Sequence, residues 1–149
     1  MSNTGHKLLI DFGISCKCFN DRISEFGYSL DDVAALIFTH DHNDHIYGTH
    51  NKKFPREKAY GIANTVEGCQ SLEIFQKYTI AGFDVTVLPT SHDGDVKPTV
   101  GYLIESDGQT LAYMTDTGYI LDDCFELMRN ADFYIIESNY NYKMLMESD

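Results

Sequence analysis

The sequence predicts an α/β protein, of the α+β kind, in which a mixed sheet is covered by helices. Short apolar runs rich in β-branched and aromatic residues recur along the 149 residues, and turn residues separate them. Two other stretches carry apolar residues at helical spacing. Strands therefore dominate, with helices between them. The length fits a single domain over residues 1–149, with a sizeable core and no repeat or linker.

The first half of the chain predicts two strands and a helix. Residues 7–13 form an apolar run that ends in a glycine turn, and residues 33–38 read as a buried strand. Residues 18–26 predict a helix that Gly27 ends. The apolar positions along one face of this helix are Phe19, Ile23 and Phe26. After residues 39–45 come a helix or loop containing Pro55 and then a mixed stretch to residue 70.

The second half predicts two hairpins, a helix and a last strand. Residues 74–80 and 83–88 flank Ala-Gly, and residues 99–105 and 110–114 flank Asp-Gly, a strong signal for a tight turn. A further apolar stripe has helical spacing and consists of Leu121, Cys124, Phe125 and Met128. Residues 133–136 read as another buried strand.

Charge and composition limit the kinds of ligand that the chain is expected to bind. Lys and Arg number 11 against 23 Asp and Glu, which gives a net charge of −12. Binding to a long nucleic acid depends on basic residues that neutralise phosphates, so a basic groove is not expected. Bound cations would offset part of this negative charge. The only basic cluster, which could meet a phosphate or form a solvated loop, consists of Lys52, Lys53, Arg56 and Lys58.

The sequence also bears on compartment and redox state. No apolar run approaches the roughly 18 residues of a membrane helix, and the N-terminus does not resemble a signal peptide, so we expect a cytoplasmic protein without a membrane partner. A disulfide framework is not expected in such a chain. We predict free thiols, buried or half-buried, at Cys16, Cys18, Cys69 and Cys124.

The stretch Thr-His-Asp-His-Asn-Asp-His at residues 39–45 is the main functional signal. It places three imidazoles and two carboxylates within six positions, directly after a predicted strand. These side chains bind divalent cations, and no cysteine is near, which favours an open catalytic site over a closed structural one. His92 and Asp116 follow other predicted strands, so we expect them at the same site. The alternative is a histidine-rich polar turn.

The series His40, His42, Asp44, His45, His92 and Asp116 resembles the metal-binding motif of the metallo-β-lactamase-fold hydrolases. The surrounding sequence is similar to one branch, the YycJ/WalJ-type hydrolases related to ribonuclease Z and exonucleases. The similar segments are residues 8–15, 90–93, 115–119 and 136–139. The resemblance spans essentially the whole chain and implies an αββα sandwich.

The resemblance implies two divalent ions, Zn or Mn. His40, His42 and His92 would hold the first ion, Asp44 and His45 the second, and Asp116 would bridge them. A carboxylate can span two metals about 3.5–4 Å apart, and a water shared by such ions becomes a nucleophile near neutral pH. Asp44 would orient that water, which makes it the predicted catalytic residue.

The sequence departs from this family pattern in two places. Family members have a last histidine on the second ion, whereas no histidine follows His92, and Tyr140 stands after Glu-Ser-Asn where the branch has His. The initial strand hairpin of the family also has no counterpart. We therefore expect a fold trimmed at both ends, a weak second metal site, and exposed sheet edges that could form a homodimer.

The leading hypothesis is a metal-dependent phosphodiesterase or nuclease acting on a small nucleotide or a single-stranded nucleic acid. We expect weak activity that rises with added Mn²⁺ or Zn²⁺. Two alternatives stay open: an esterase or lactamase of the same fold, and a metal-binding interaction module without turnover.

Overall fold

Two β-sheets carry the fold, and the strands of the first are all parallel. A computed structural model describes residues 1–2, 5–63, 65–92 and 98–138. The first sheet has the order β1–β2–β3–β4, with β1 at Leu8–Ile10, β2 at Ala35–Phe38, β3 at Ala59–Ile62 and β4 at Gln70–Leu72. Parallel strands need crossover connections. Helical segments lie between β1 and β2 and between β2 and β3, whereas the described residues between β3 and β4 contain no helix.

The second sheet is mixed. Its order is β5–β6–β7–β8–β9, with β5 at Lys77–Ile80, β6 at Phe83–Pro89, β7 at Val100–Ser106, β8 at Gln109–Met114 and β9 at Phe133–Ile136. Neighbouring strands are antiparallel except β8 and β9, which are parallel. Both predicted hairpins are confirmed, and each turns through residues with positive φ, Ala81 and Gly82 in one and Asp107 and Gly108 in the other.

The helices are short. Within the described ranges three are α-helical, α1 at Cys16–Ile23, α2 at Asn43–Ile46 and α3 at Asp122–Met128. Single 3₁₀ turns occur at Ser24–Phe26, Leu30–Asp32, Tyr47–His50 and Arg56–Lys58. No helix among the described residues has the length and apolar character needed to cross a membrane.

Three apolar clusters show how these elements stack. The central cluster lies between the sheets and includes Ile37, Val87 and Tyr102, all with no exposed surface. A second cluster packs α1 on the outer face of the first sheet, and a third packs α3 on the outer face of the second sheet. The order helix–sheet–sheet–helix confirms the predicted αββα sandwich.

The structure corrects the predicted first helix. It begins at Cys16, two residues earlier than expected, because the Ser15 side chain accepts a hydrogen bond from the Cys18 amide and caps it. Gly27 ends the segment with φ of 77°, as predicted. Phe26 does not join the buried face and is 74% exposed. The α-helix changes to a tighter 3₁₀ turn at Ser24, so Phe26 no longer follows the α-helical spacing.

Two further predictions differ from the structure. Strands β3 and β4 lie in the stretch that carried no strand prediction, since β3 contains Ala59 and Gly61, which have low strand propensity. Residues 133–136 do form a strand, but it is not buried: each of its four side chains is 37–54% exposed. In the described part of the chain, β9 has only β8 beside it, so one edge lacks a partner. On α3, Phe125 of the predicted stripe is also exposed.

The strand ends bring the site together. The segments that follow β1, β2, β6 and β8 carry its polar residues at one end of the sandwich. Backbone hydrogen bonds hold this end together. Val100 N–H, at the start of β7, donates to the Thr39 carbonyl at 3.0 Å, and Gly118 N–H donates to the Ser91 carbonyl at 2.6 Å. The two sheets are also linked here, because the buried Tyr102 hydroxyl donates to the Phe38 carbonyl at 2.5 Å.

Candidate metal centre

Five of the six predicted ligand residues meet at this end of the sandwich. They form two groups in which one donor atom from each residue lies within 4.8 Å of the others. The first group is His40, His42 and His92, and the second is His40, His45 and Asp116. His40 is common to both groups and is 2% exposed, so the pair of groups is centred on a buried imidazole.

The individual contacts are close. His92 Nε2 lies 3.5 Å from His42 Nδ1, and the ring centroids of His40 and His42 are 4.4 Å apart. On the other side, His45 Nε2 lies 3.4 Å from an Asp116 carboxylate oxygen, and its ring centroid is 4.1 Å from that of His40. These nitrogen and oxygen atoms converge from three separate strand ends.

Asp44, the sixth predicted residue, lies at the rim. Its side chain is 83% exposed, and its nearest carboxylate oxygen is 3.8 Å from His45 Nε2. It does not fall within either group of donors. Asp44 is in the first turn of α2, one residue before His45, so the two side chains leave the helix in different directions.

Asp11 and Thr39 hold the histidines in place and were not predicted as site residues from the sequence. The Asp11 carboxylate accepts from His45 Nδ1 at 2.8 Å, from the Thr39 amide at 2.8 Å and from the Thr39 hydroxyl at 2.9 Å. Asp11 has a φ of 56°, a left-handed conformation that Asp tolerates better than most residues. An acidic residue near the end of an apolar run, two positions before its glycine, was the available signal in the sequence.

This network assigns the tautomers of two histidines. Because the Thr39 hydroxyl donates to Asp11, it accepts from His40 Nδ1 at 3.0 Å. His40 Nδ1 and His45 Nδ1 therefore both carry hydrogens, and both Nε2 atoms present lone pairs. His40 Nε2 is buried and has no hydrogen-bond partner among the described residues, so it is a polar atom left for a ligand.

The surroundings shift the pKa values of His40 and His45 in opposite directions. Burial, together with the neighbouring histidines His45 and His42, lowers the pKa of His40 to about 4. The ring is therefore neutral at physiological pH, the state in which imidazole binds metals. The hydrogen bond that His45 donates to the Asp11 carboxylate raises the pKa of His45, although burial opposes it. A carboxylate behind a histidine makes its far nitrogen a more basic donor.

The donor set fits a divalent cation. Imidazole nitrogens and a carboxylate oxygen are the ligands of zinc and manganese, and neither group includes a cysteine. The predicted free thiols are confirmed, with Cys124 buried and Cys16, Cys18 and Cys69 partly exposed. Tyr140, where the family pattern has His, lies outside the described residues.

Comparisons with known proteins agree with this geometry. A profile of the family described as "Beta-lactamase superfamily domain" matches residues 6–147. The chain is 29% identical to the exodeoxyribonuclease WalJ of Streptococcus pneumoniae, over 93% of this chain and 56% of that protein. It is 28% identical to the exodeoxyribonuclease YycJ of Bacillus anthracis, over 93% of this chain and 57% of that protein. The chain thus spans about half the length of these curated relatives.

Solved structures show the same fold at lower identity. The metallo-beta-lactamase fold protein YhfI of Bacillus subtilis superposes with a TM-score of 0.68 at 21% identity, covering 93% of this chain and 62% of that one. Zn²⁺-bound PqqB of Methylobacterium extorquens superposes with a TM-score of 0.66 at 17% identity, covering 93% and 58%. With its αββα sandwich, its converging histidines and a family match over nearly its full length, this chain belongs to the beta-lactamase superfamily.

Proposed function

We propose that this chain carries the metal centre of a metal-dependent phosphodiesterase, of the nuclease type. The observation that carries the proposal is the pair of donor groups that share the buried His40. Two relatives that match 93% of this chain are exodeoxyribonucleases, which favours a phosphodiester over a carboxylic ester as the substrate. The net charge of −12 favours a single-stranded or small substrate over a long duplex.

We propose two divalent ions, zinc or manganese. His40, His42 and His92 would hold one ion, and His45 with Asp116 would hold the other. Asp116 would bridge the ions, since a carboxylate has two oxygens to share. Bound divalent ions polarise a phosphoryl oxygen and lower the pKa of water. The exposed Asp44 carboxylate lies beside His45 at the rim and would orient the attacking water.

Metal content and substrate choice test this proposal. His42→Ala should remove at least one equivalent of metal, measured by elemental analysis of the purified protein, because it removes a donor from the all-histidine group. His6→Ala is the matched control, since His6 bonds to the Ala81 carbonyl and belongs to neither group. Unchanged metal content in His42→Ala would refute the ligand assignment.

Activity separates the function from its alternatives. We expect hydrolysis of bis-p-nitrophenyl phosphate that rises with added Mn²⁺ or Zn²⁺, and little hydrolysis of p-nitrophenyl acetate. Preference for the carboxylic ester would favour an esterase. Inactivity toward both substrates at saturating metal would favour a metal-binding module.

We also propose that β9 mediates self-association. Its four apolar side chains are 37–54% exposed, and one strand edge has no partner in the described part of the chain. Such an edge can pair with another strand. Ile135→Lys, which places a charge on this edge, should convert a dimer into a monomer in light scattering. A wild-type protein that is monomeric at high micromolar concentration would refute this proposal.

A further inference from the structure

A small pocket lies beside the metal centre and is not part of either donor group. Its volume is about 240 Å³. Six residues of the described part of the chain line it, namely Ser15, Cys16, Tyr47, Gly48, His50 and Asn51. The volume is below the roughly 300–1,000 Å³ of pockets that enclose a whole drug-sized ligand. It therefore suits one ring system of a larger ligand whose remainder lies outside.

The pocket adjoins the rim of the metal centre. Tyr47 directly follows α2. Its neighbour Gly48 donates from N–H to the Phe12 carbonyl at 2.7 Å, and Phe12 N–H donates to the His45 carbonyl at 2.6 Å. The loop after β1, which supplies Ser15 to the pocket, also touches α2: a Cβ added to Gly13 would lie 1.5 Å from the Asp44 carbonyl oxygen. The pocket and the candidate ligand His45 are therefore held against the same loop.

The aromatic wall is held firmly. Gly48 N–H donates to the Phe12 carbonyl at 2.7 Å, and a Cβ added to Gly48 would lie 2.4 Å from the Phe12 ring. The backbone behind Tyr47 is thus packed against the core. The Tyr47 ring itself is 48% exposed and meets the His50 ring edge to face, with centroids 6.1 Å apart. An exposed ring on an anchored backbone suits the stacking of a flat ligand ring.

The electrostatics of the pocket permit an anionic ligand. None of the six described residues that line it is a carboxylate. Burial raises the pKa of the Cys16 thiol, which therefore stays neutral. Cys16 and Asn51 also line an adjoining pocket that contains Lys53 and one carboxylate, Asp31. In a protein with a net charge of −12, this is a local surface that does not repel phosphate strongly.

We propose that this pocket, the Tyr47 pocket, binds a nucleobase of a single-stranded nucleic acid next to the phosphodiester that is hydrolysed. The inference rests on the proposed function and specifies how the substrate is held. Stacking on Tyr47 requires an unpaired base, so the pocket selects single strands over duplexes. Sequence preference is weak, because every base has a flat face.

Two substrates that differ only in their bases test the inference. One is a single-stranded oligothymidylate, and the other is an oligonucleotide of equal length built from abasic tetrahydrofuran units. Tyr47→Ala should lower kcat/KM on the oligothymidylate about tenfold and lower it much less on the abasic strand. Tyr47→Phe, which keeps the ring, should restore the preference. Phe26→Ala is the control, since it removes an exposed ring that does not line the pocket.

Equal losses on both strands would overturn the inference, because they would indicate a general structural effect of Tyr47→Ala. No loss on either strand would also overturn it. If the wild type hydrolyses neither strand, the proposed function fails, and the pocket is judged by binding alone. Fluorescence anisotropy of the two labelled strands should then show weaker binding of Tyr47→Ala to the oligothymidylate only, and any other pattern refutes the pocket.

Discussion

Replacement of Asp11 by Asn should loosen the metal centre without removing any proposed ligand. The Asp11 carboxylate accepts hydrogen bonds from His45 Nδ1, the Thr39 hydroxyl and the Thr39 amide, all at 2.8–2.9 Å, and its side chain is 10% exposed. Asn has the same shape and tolerates the φ of 56° at this position, so the backbone should be kept. One oxygen can still accept from the Thr39 amide.

The loss of stability arises at the second oxygen of the Asp11 carboxylate, which Asp11→Asn replaces with an amide nitrogen. Two donors, His45 Nδ1–H and the Thr39 hydroxyl, then face N–H groups instead of a carboxylate. Hydrogen bonds to charged groups contribute about 1.5–3 kcal/mol each, and rearrangement should recover part of this, so we expect a loss of about 3 kcal/mol in the free energy of unfolding. His45 can recover one bond only by moving its hydrogen to Nε2, the nitrogen that faces Asp116.

Metal affinity is therefore the sharper measurement. Loss of a carboxylate behind a histidine ligand typically weakens metal binding 10–100-fold, or about 1.4–2.7 kcal/mol. We expect this weakening for Zn²⁺ in competition with a chromophoric chelator. Asp32→Asn is the matched control, because the Asp32 carboxylate also accepts two hydrogen bonds, from Ser29 N–H and Oγ, but lies in an exposed cap. Wild-type affinity in Asp11→Asn, or an equal loss in Asp32→Asn, would refute the reasoning.

Three further predictions concern packing, the bridge and the thiols. Gly13→Ala should destabilise the fold by about 3 kcal/mol in thermal unfolding, because the new Cβ would lie 1.5 Å from the Asp44 carbonyl oxygen. Gly118→Ala, in which the nearest contact of the new Cβ would be 3.5 Å, should change stability much less. An equal loss of stability in the two variants would contradict this prediction. Asp116→Asn should weaken a second zinc equivalent more than the first in a calorimetric titration, and equal weakening would exclude a bridge. Burial raises the pKa of Cys124, so its alkylation by iodoacetamide should be slow at pH 8 and should speed up only at a higher pH than an exposed thiol requires, whereas rapid labelling at pH 8 would show that the thiol is accessible.

The sequence alone was sufficient to predict the class of site, because its ligands are concentrated in a short segment. His40, His42 and His45 are local in the chain and follow an apolar strand, so their convergence depends on little beyond that strand and turn. His92 and Asp116 were placed by the same rule, since each follows a strand. Their meeting with His40 shows that strand ends were the correct signal.

The spacing of apolar residues did not show which faces of the predicted elements are buried. An apolar run of four residues predicts a strand, and β9 is one, but its place at a sheet edge left it exposed. Phe26 and Phe125 had helical spacing and are exposed as well. Spacing defines a face of an element, whereas burial requires another element against that face.

The sequence by itself determined most of the strands, both hairpins and the identity of the candidate ligands, because these follow from local propensity and spacing. Only the tertiary structure decided what supports the ligands and which of them lie inside. Asp11 is 28 residues from Thr39, and the two meet because β1 and β2 pair in parallel. Asp44 belongs to the motif, yet the turn of α2 places it at the rim. Strand pairing and helix direction are long-range properties, so no local pattern could have revealed either result.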